Sequence, residues 1–353
     1  MSILVSGVRL GYFLYSPCFF APSNSMSDAL LLSVLNPMAA ITAELLEVDK
    51  AIQQRLASNV PLVGEVSRYI IGAGGKRVRP ALLLLTAGAL GCTSHQKYNL
   101  AAVVEFIHTA TLLHDDVVDE SALRRGNSTA NIKFGNPASV LVGDFLYSRA
   151  FQMMVDNNNM RVMQVLADAT NVIAEGEVMQ LMNMHNAQLT EAAYLDVIRS
   201  KTAKLFEASA RVGSILAQAD AQTEQACADY GRALGTAFQL IDDVLDYSGD
   251  VNLLGKNIGD DLREGKATLP LIAAMQRGTS SQKQVIQSAI ENGEVAGLSN
   301  IIEIVQSTGA LMVAREAAAL EAKRAIDAAR RLPVNDYSIC LIQLVTQLQG
   351  RDC

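Results

Sequence analysis

The chain has 353 residues, of which 50% are hydrophobic and only 8 are proline, and its formal net charge is −7. This charge argues against nucleic acid as a partner, because nucleic-acid binding draws its affinity from clustered lysines and arginines. The apolar content and the scarcity of helix-breaking prolines are typical of an all-helical globular protein. The 5 cysteines form no metal-ligand or redox pattern, which is typical of reduced thiols in a cytoplasmic protein.

Residues 1–35 differ from the rest of the chain. The stretch 3–21 is apolar but contains Arg9 and Pro17, and it lacks the basic start and the small-residue cleavage site of a signal peptide. We predict a poorly ordered N-terminal extension, and peripheral contact with a membrane is the alternative left open for it. Because the chain has no run of about 18 uncharged apolar residues, we expect no transmembrane segment.

From residue 36 onward, apolar residues recur at three- and four-residue spacings, which predicts successive helices. We place these helices at 39–57, 63–71, 80–90, 100–118, 138–155, 160–184, 191–217, 222–247, 269–275, 281–292, 295–308, 310–331 and 337–349. Residues 248–265, rich in glycine and aspartate, are predicted to form an ordered loop. Nothing indicates a convincing strand, so we predict one all-α domain over residues 36–353, built as a single helical bundle.

The first motif in chain order is a basic glycine turn with the sequence GGKRVRP at residues 74–80. It brings Lys76 and Arg79 to the start of a helix, where backbone N–H groups and the helix dipole favour an anion. The turn therefore indicates a phosphate site, and a solvated basic turn is the alternative.

Two aspartate clusters of the same DDxxD design lie in otherwise apolar helical segments. They consist of Asp115, Asp116 and Asp119, and of Asp242, Asp243 and Asp246. Residues i and i+4 share one face of a helix, so each cluster brings like charges together at a cost of roughly 0.2–0.5 kcal/mol per pair. Oxygen ligands without Cys or His suit Mg²⁺, which shares its coordination with waters and substrate phosphates. The duplication and the apolar flanks favour a metal site over a solvated acidic stripe.

Further basic residues occur at Arg124, Arg125, Lys201, Lys256 and Lys266. Arginine binds phosphate in a bidentate manner and lysine binds it as a point charge, so this mixture suits pyrophosphate groups bridged to Mg²⁺.

Together these motifs resemble the trans-polyprenyl diphosphate synthase family. The resemblance extends from about residue 36 to the C-terminus, over GGKRVRP (74–80), EFIHTATLLHDDVVDESALRRG (105–126), GDFLYSRAFQMM (143–154), SKTAKLFEAS (200–209), GTAFQLIDDVLDY (235–247) and GKNIGDDLREGKATLPL (255–271). It implies a homodimer of helical bundles of the isoprenoid synthase type, each with a deep central cavity across whose mouth the aspartate clusters face each other. The expected reaction adds isopentenyl diphosphate units to an allylic diphosphate primer, with farnesyl diphosphate preferred. The expected product is octaprenyl diphosphate for a quinone side chain.

The resemblance also implies roles for individual residues. Asp115, Asp119 and Asp242 would chelate about three Mg²⁺ ions, while Asp116, Asp243 and Asp246 would hold ligand waters and orientation. The primer diphosphate would be bound with the help of Arg124, Lys201, Gln239, Lys256 and Lys266, and isopentenyl diphosphate by Lys76, Arg79, His108 and Arg125. Thr202 and the carbonyl of Lys201 would stabilise the allylic carbocation. For His108, the alternative is a core histidine satisfied by a neighbour.

Chain length is expected to depend on the floor of the cavity. Ala110 and Thr111 lie about one helical turn before Asp115 and are small, whereas shorter-chain members of the family carry a bulky aromatic residue near this point. A long product is therefore expected, and Met154 on a neighbouring helix is predicted as a deeper stop.

Three other classes of protein share part of this pattern. Terpene cyclases share the first aspartate motif, but their second motif differs from DDVLD and they need no isopentenyl site. A non-catalytic subunit of a heteromeric synthase typically loses one aspartate cluster, and both are intact here. A di-iron site could begin with Glu105 and His108, but the chain offers no second ExxH motif.

Overall fold

The computed structural model describes residues 36–350 apart from 73, 125, 249–258, 294 and 296. The predicted N-terminal extension at 1–35 and the predicted phosphate ligands Arg125 and Lys256 therefore lie outside the described residues. The described part belongs to one compact unit, Leu35–Cys353.

Seventeen α-helices make up most of the described chain. They are α1 Pro37–Ala40, α2 Thr42–Arg55, α3 Pro61–Gly72, α4 Val78–Ala89, α5 Gln96–Val118, α6 Ala130–Phe134, α7 Asn136–Asp156, α8 Met160–Asn183, α9 Glu191–Ile198, α10 Lys204–Leu216, α11 Ala221–Ser248, α12 Asp260–Arg263, α13 Leu269–Arg277, α14 Ser280–Asn292, α15 Leu298–Ser307, α16 Ala310–Ala329 and α17 Asp336–Gln349. The predicted all-α fold is confirmed. A minor addition is a short antiparallel pair, β1 Leu123–Arg124 and β2 Asn127–Ser128.

The helix predicted at 191–217 is divided by a π-helical turn. Residues Arg199–Ala203 form this turn between α9 and α10, and such turns inside helices are frequent at functional sites. In the predicted loop 248–265, residues Asp260–Arg263 form the short helix α12.

The core is organised around α5 and α11, the helices that carry the aspartate clusters. Helix α5 packs along α7 and against α4, while α11 packs along α10 and α16. Close approach depends on small residues: a Cβ on Gly231 would lie 2.5 Å from the Phe206 carbonyl oxygen, and one on Gly235 would lie 2.6 Å from the Ala203 Cα. This packing holds the π turn against α11. No helix among the described residues is both long and apolar enough to cross a membrane.

Candidate active site

Both aspartate clusters contribute to one large cavity. Its volume is about 820 Å³, and its wall includes Asp115 and Asp119 at the end of α5 together with Asp242 and Asp243 on α11. The other predicted site residues on its wall are Lys76, Arg79, His108, Thr111, Arg124, Lys201, Thr202, Gln239 and Lys266. The structure therefore brings the described members of the predicted metal and diphosphate set together around one cavity.

Lysines face the first aspartate cluster. Lys201 Nζ lies 3.5 Å from Asp115 Oδ1, and Lys266 Nζ lies 3.0 Å from Asp119 Oδ2. Burial by itself would lower the pKa of Lys266, but Asp119 and Glu264 outweigh burial and raise that pKa. Lys266 is therefore a permanent positive charge beside Asp119.

Asp116 is directed into the protein rather than into the cavity. Its side chain is fully buried, and Oδ1 accepts hydrogen bonds from Arg124 Nε at 2.9 Å and Nη2 at 2.6 Å. Burial raises the pKa of Asp116 and Arg124 opposes that rise. Asp116 therefore orients Arg124, whose guanidinium is engaged by this carboxylate.

In the second cluster, Asp243 is the end of a hydrogen-bond chain. The Tyr194 hydroxyl donates to Asp243 Oδ2, and Gln239 Nε2 donates to Asp243 Oδ1 at 2.8 Å. Thr202 Oγ1 in turn donates to Gln239 Oε1 at 3.0 Å. Burial raises the pKa of Asp243 well above its usual range, and Asp261 adds to the effect. Asp243 thus connects α9, the π turn and α11 through buried hydrogen bonds.

Asp246 lies further along α11 and is not among the residues of the cavity wall. It is buried, and its Oδ1 accepts a hydrogen bond from the backbone N–H of Gly259 at 3.2 Å. This hydrogen bond ties α11 to the start of α12.

The basic turn contributes to the cavity wall beside α5. Arg79 Nη1 lies 3.1 Å from His108 Nε2, and its guanidinium stacks on the Phe206 ring with 4.6 Å to the centroid. Because a guanidinium only donates hydrogen bonds, His108 Nε2 must accept. His108 is thus half-buried on the cavity wall and orients Arg79.

The three residues predicted to set chain length lie at different depths. Thr111 lines the cavity, whereas Ala110 and Met154 are buried in the core, with 0% and 1% exposure. Any effect of Ala110 and Met154 on product length must therefore be transmitted through the residues that line the cavity.

Sequence reasoning missed Glu177, Tyr194 and Asp261, which all line the cavity. Glu177 Oε2 lies 2.6 Å from Lys201 Nζ. Burial, followed by the nearby charge of Asp115, raises the pKa of Glu177 to about 7. A signal was available, since Glu177, Gln180 and Asn183 recur at three-residue spacing on the face of α8 that lines the cavity.

The donors in the cavity fit Mg²⁺. No three acidic, histidine or cysteine side chains among the described residues converge into a ready-made metal site. Magnesium does not require one, because it is usually bound through one or two carboxylates together with water and substrate phosphates. Asp115 and Glu177 repel each other enough to shift the pKa of Glu177, and a divalent cation between oxygen donors relieves such repulsion.

A helical bundle in which two aspartate clusters and several lysines share one cavity defines an enzyme that binds diphosphates with divalent metal. A family model described as polyprenyl synthetase matches residues 60–305, more than half of the chain. The chain belongs to the polyprenyl synthetase family. It is a long-chain trans-prenyltransferase, which adds isopentenyl diphosphate to an allylic diphosphate.

Individual relatives agree with this assignment. The chain is 51% identical to octaprenyl diphosphate synthase from Escherichia coli (strain K12) over 306 residues, which cover 86% of this chain and 95% of that protein. The crystal structure of polyprenyl synthase from Caulobacter crescentus CB15, complexed with calcium and isoprenyl diphosphate, gives a TM-score of 0.86 at 42% identity and covers 94% of this chain and 100% of that one. Decaprenyl diphosphate synthase from Rhodobacter capsulatus gives a TM-score of 0.86 at 44% identity, with 90% and 98% covered.

The family assignment removes the alternatives. Glu105 and His108, considered as the start of a di-iron site, are instead engaged by Arg77 and Arg79.

Proposed function

We propose that this prenyltransferase extends farnesyl diphosphate to octaprenyl diphosphate, the precursor of a quinone side chain, in the cytoplasm. The observation that carries the proposal is the shared cavity, in which Asp115 and Asp242 come from opposite helices and Lys76 and Arg79 from a third element. The identity to the octaprenyl synthase of Escherichia coli supports the chain length of the product. The buried free thiols Cys92, Cys227 and Cys340 support a reducing compartment.

In this proposal the primer diphosphate lies between the aspartate clusters. Asp115, Asp119 and Asp242 would hold about three Mg²⁺ ions, which supply charge stabilisation for the leaving diphosphate. Lys201 and Lys266 already lie against Asp115 and Asp119, so their ammonium groups are within reach of phosphate oxygens bound there. Gln239 and Arg124 complete the described part of this subsite, and Lys256 belongs to it by resemblance alone.

Isopentenyl diphosphate would bind to the basic turn. Lys76 and Arg79 line the cavity beside His108, and Arg79 is held in place by His108 and Phe206. An arginine fixed in this way loses little side-chain entropy when it binds a diphosphate. Arg125 is assigned to the same subsite by resemblance.

The proposed reaction needs a site that excludes water and contains groups able to stabilise a positive charge. Thr202 Oγ1 and the carbonyl of Lys201 lie in the π turn on the cavity wall, and Phe206 and Phe238 add apolar surface. These groups would stabilise the allylic cation while the apolar wall excludes water that would quench it. The proton lost after attack would leave with pyrophosphate, so no protein base is required.

A homodimer is proposed from the outer face of α7 and α8. This face exposes a row of large apolar side chains at helical spacing: Leu141, Phe151, Val155, Val178, Leu181 and Met182. Clusters of exposed large apolar side chains on a monomer mark interaction surfaces. A second copy of the chain is the occupant proposed here, and peripheral membrane contact during product release remains a separate proposal for residues 1–35.

The decisive experiment incubates the purified protein with farnesyl diphosphate, labelled isopentenyl diphosphate and Mg²⁺, and sizes the products after dephosphorylation. We expect octaprenol as the main product, no turnover in the presence of a chelator, and a loss of at least about 100-fold in kcat for Asp115→Asn and Asp242→Asn. The control Asp327→Asn changes a largely exposed aspartate and should retain wild-type turnover. Cyclic hydrocarbon as the product, or no turnover with metal present, would contradict the proposal.

A further inference from the structure

Arg77 lies in the basic turn but has no part in the mechanism above. Its backbone adopts φ 47° and ψ 33°, the left-handed conformation, which a residue with a side chain rarely takes. Left-handed residues other than glycine persist where the surrounding structure holds them.

The side-chain contacts of Arg77 explain why this left-handed conformation is stable. Its Nη1 donates a hydrogen bond to Glu105 Oε1, and its Nη2 lies 3.5 Å from Asp49 Oδ1. Both the arginine and Glu105 are largely buried, with 19% and 10% of their side chains exposed. The positive charge of Arg77 is therefore matched by carboxylates of the protein, although Arg77 also borders the cavity.

This ion pair cross-links the turn to α5. Arg77 pairs with Glu105, and Arg79 pairs with His108. Glu105 and His108 are three residues apart and so share one face of α5. Lys76 directly precedes Arg77 in the chain, so the left-handed backbone of Arg77 affects the direction in which the Lys76 side chain points.

We propose that Arg77 is a positioning residue for isopentenyl diphosphate. Its ion pair with Glu105 stabilises the left-handed turn that presents Lys76 and Arg79 to the same diphosphate. The inference rests on the proposed assignment of Lys76 and Arg79 to this substrate. Loss of the ion pair should weaken isopentenyl diphosphate binding and leave the primer subsite, on the aspartate side of the cavity, unchanged.

The test is a double-mutant cycle on the full-length protein, with Arg77→Ala, Glu105→Ala and the double variant. Calorimetric titration with isopentenyl diphosphate in the absence of metal measures binding, and steady-state kinetics measure kcat and both KM values. We expect each single variant to raise the Kd and KM for isopentenyl diphosphate about tenfold, and the double variant to be no weaker than the singles. The KM for farnesyl diphosphate should stay within about twofold of wild type.

A direct phosphate ligand would behave differently. If Arg77 contacted the substrate itself, Glu105→Ala would release the arginine toward the cavity, and binding would stay equal or become tighter. That result, or unchanged binding in Arg77→Ala, would overturn the inference.

Two further measurements separate the remaining explanations. Arg77→Gly accepts the left-handed backbone without an ion pair, and we expect it to bind as weakly as Arg77→Ala; recovery of wild-type affinity would show that backbone strain alone matters. Thermal denaturation shows whether each variant is folded. If Arg77→Ala is poorly folded, Arg77→Lys replaces it in the comparison, and its weaker ion pair should give a Kd between those of the wild type and Glu105→Ala. A wild-type Kd for Arg77→Lys would count against the inference. Failure of the wild-type protein to bind isopentenyl diphosphate would instead refute the proposed function.

Discussion

Lysines in the cavity wall lie between pairs of carboxylates. Lys201 lies between Asp115 and Glu177, and Lys266 lies between Asp119 and Glu264. Each lysine offsets the repulsion of two acidic groups that would otherwise destabilise the cavity wall. When a metal ion neutralises these carboxylates instead, the same lysines would be available to bind a diphosphate.

Glu177 should make the stability of the folded protein depend on pH. Its pKa in the folded protein is about 7 against an ordinary value of 4.5, so between these values the folded state binds a proton more tightly than the unfolded state. The free energy of unfolding of the metal-free protein should therefore fall as pH rises from about 4.5 to 7, by at most about 3 kcal/mol from this group. Glu177→Gln should flatten this slope in denaturant titrations, and Glu175→Gln on the exposed side of α8 should keep it. An unaltered slope in Glu177→Gln would contradict the prediction.

Tyr194 is the second residue whose effect can be isolated. Tyr194→Phe removes the hydroxyl that donates to the buried Asp243, which should lower the free energy of unfolding by about 1–3 kcal/mol. Because Gln239 and Thr202 belong to the same hydrogen-bond chain, kcat should also fall about tenfold. The matched control is Tyr230→Phe, which removes a buried hydroxyl bound to the Leu341 carbonyl at 2.7 Å, away from the cavity. The control should lose stability but keep its kcat, and equal kcat values in both variants would refute the role of Tyr194.

At the scale of elements, the π turn Arg199–Ala203 is the feature that places Lys201 and Thr202. It lies between α8 and α11, and Gly176 on α8 makes the close approach possible. A Cβ on Gly176 would lie 2.7 Å from the backbone nitrogen of Lys201. Lys201 is thus positioned by backbone packing as well as by its side-chain contacts.

Gly176→Ala should therefore displace the π turn. We expect a loss of about 1–3 kcal/mol in the free energy of unfolding and a larger proportional loss in activity, at least about tenfold in kcat, because small shifts of catalytic groups are costly. Chemical denaturation and steady-state kinetics measure the two effects. Gly297→Ala is the control, since a Cβ there meets nothing within 4 Å, and its stability should change by less than about 0.5 kcal/mol. Full activity in Gly176→Ala would show that the turn tolerates displacement.

The limits of sequence reasoning follow from the same elements. Apolar periodicity located α5, α8 and α11 because their buried faces repeat at helical spacing. It could not detect the π turn, since the sequence around Lys201 keeps that periodicity and the extra residue per turn is imposed by packing. The aspartate pattern identified the two helices whose carboxylates meet at the cavity, but not that Asp116 would bind Arg124 or that Asp243 would bind Tyr194. Such pairings join distant segments and depend on the tertiary fold.

For the whole molecule, the outer face of α7 and α8 predicts assembly. Leu141 on this face is 65% exposed, and Leu46 on α2 is 57% exposed. Because the two leucines are similarly exposed, a substitution at Leu46 can serve as the control for the same substitution at Leu141. Leu141→Glu should place an unpaired charge in the dimer interface and convert the protein to a monomer, because burying such a charge is costly. Leu46→Glu should leave the dimer intact. Light scattering coupled to size-exclusion chromatography measures the mass, and a wild-type monomer or a dimeric Leu141→Glu variant would contradict the proposal.

The depth of the core behind the cavity bears on product length. Thr111 lines the cavity, while Ala110 and Met154 are packed directly behind the wall with almost no exposure. We expect the growing chain of isoprene units to extend toward this packed region, so the side-chain volume there should limit the final length. Ala110→Tyr should therefore give short products, and Met154→Ala should give products longer than those of the wild-type protein.

Chromatography of the dephosphorylated products measures both effects, and Met153→Ala is the control because it removes an equally buried methionine from the adjacent position on α7. Either methionine variant should lose about 2–5 kcal/mol of stability, so the assays belong at a temperature where all variants remain folded. If loosening of the core alone governed length, Met153→Ala and Met154→Ala would lengthen the product equally. A longer product from Met154→Ala alone would place the end of the growing chain against that side chain, and retained long products in Ala110→Tyr would show that the chain grows in another direction.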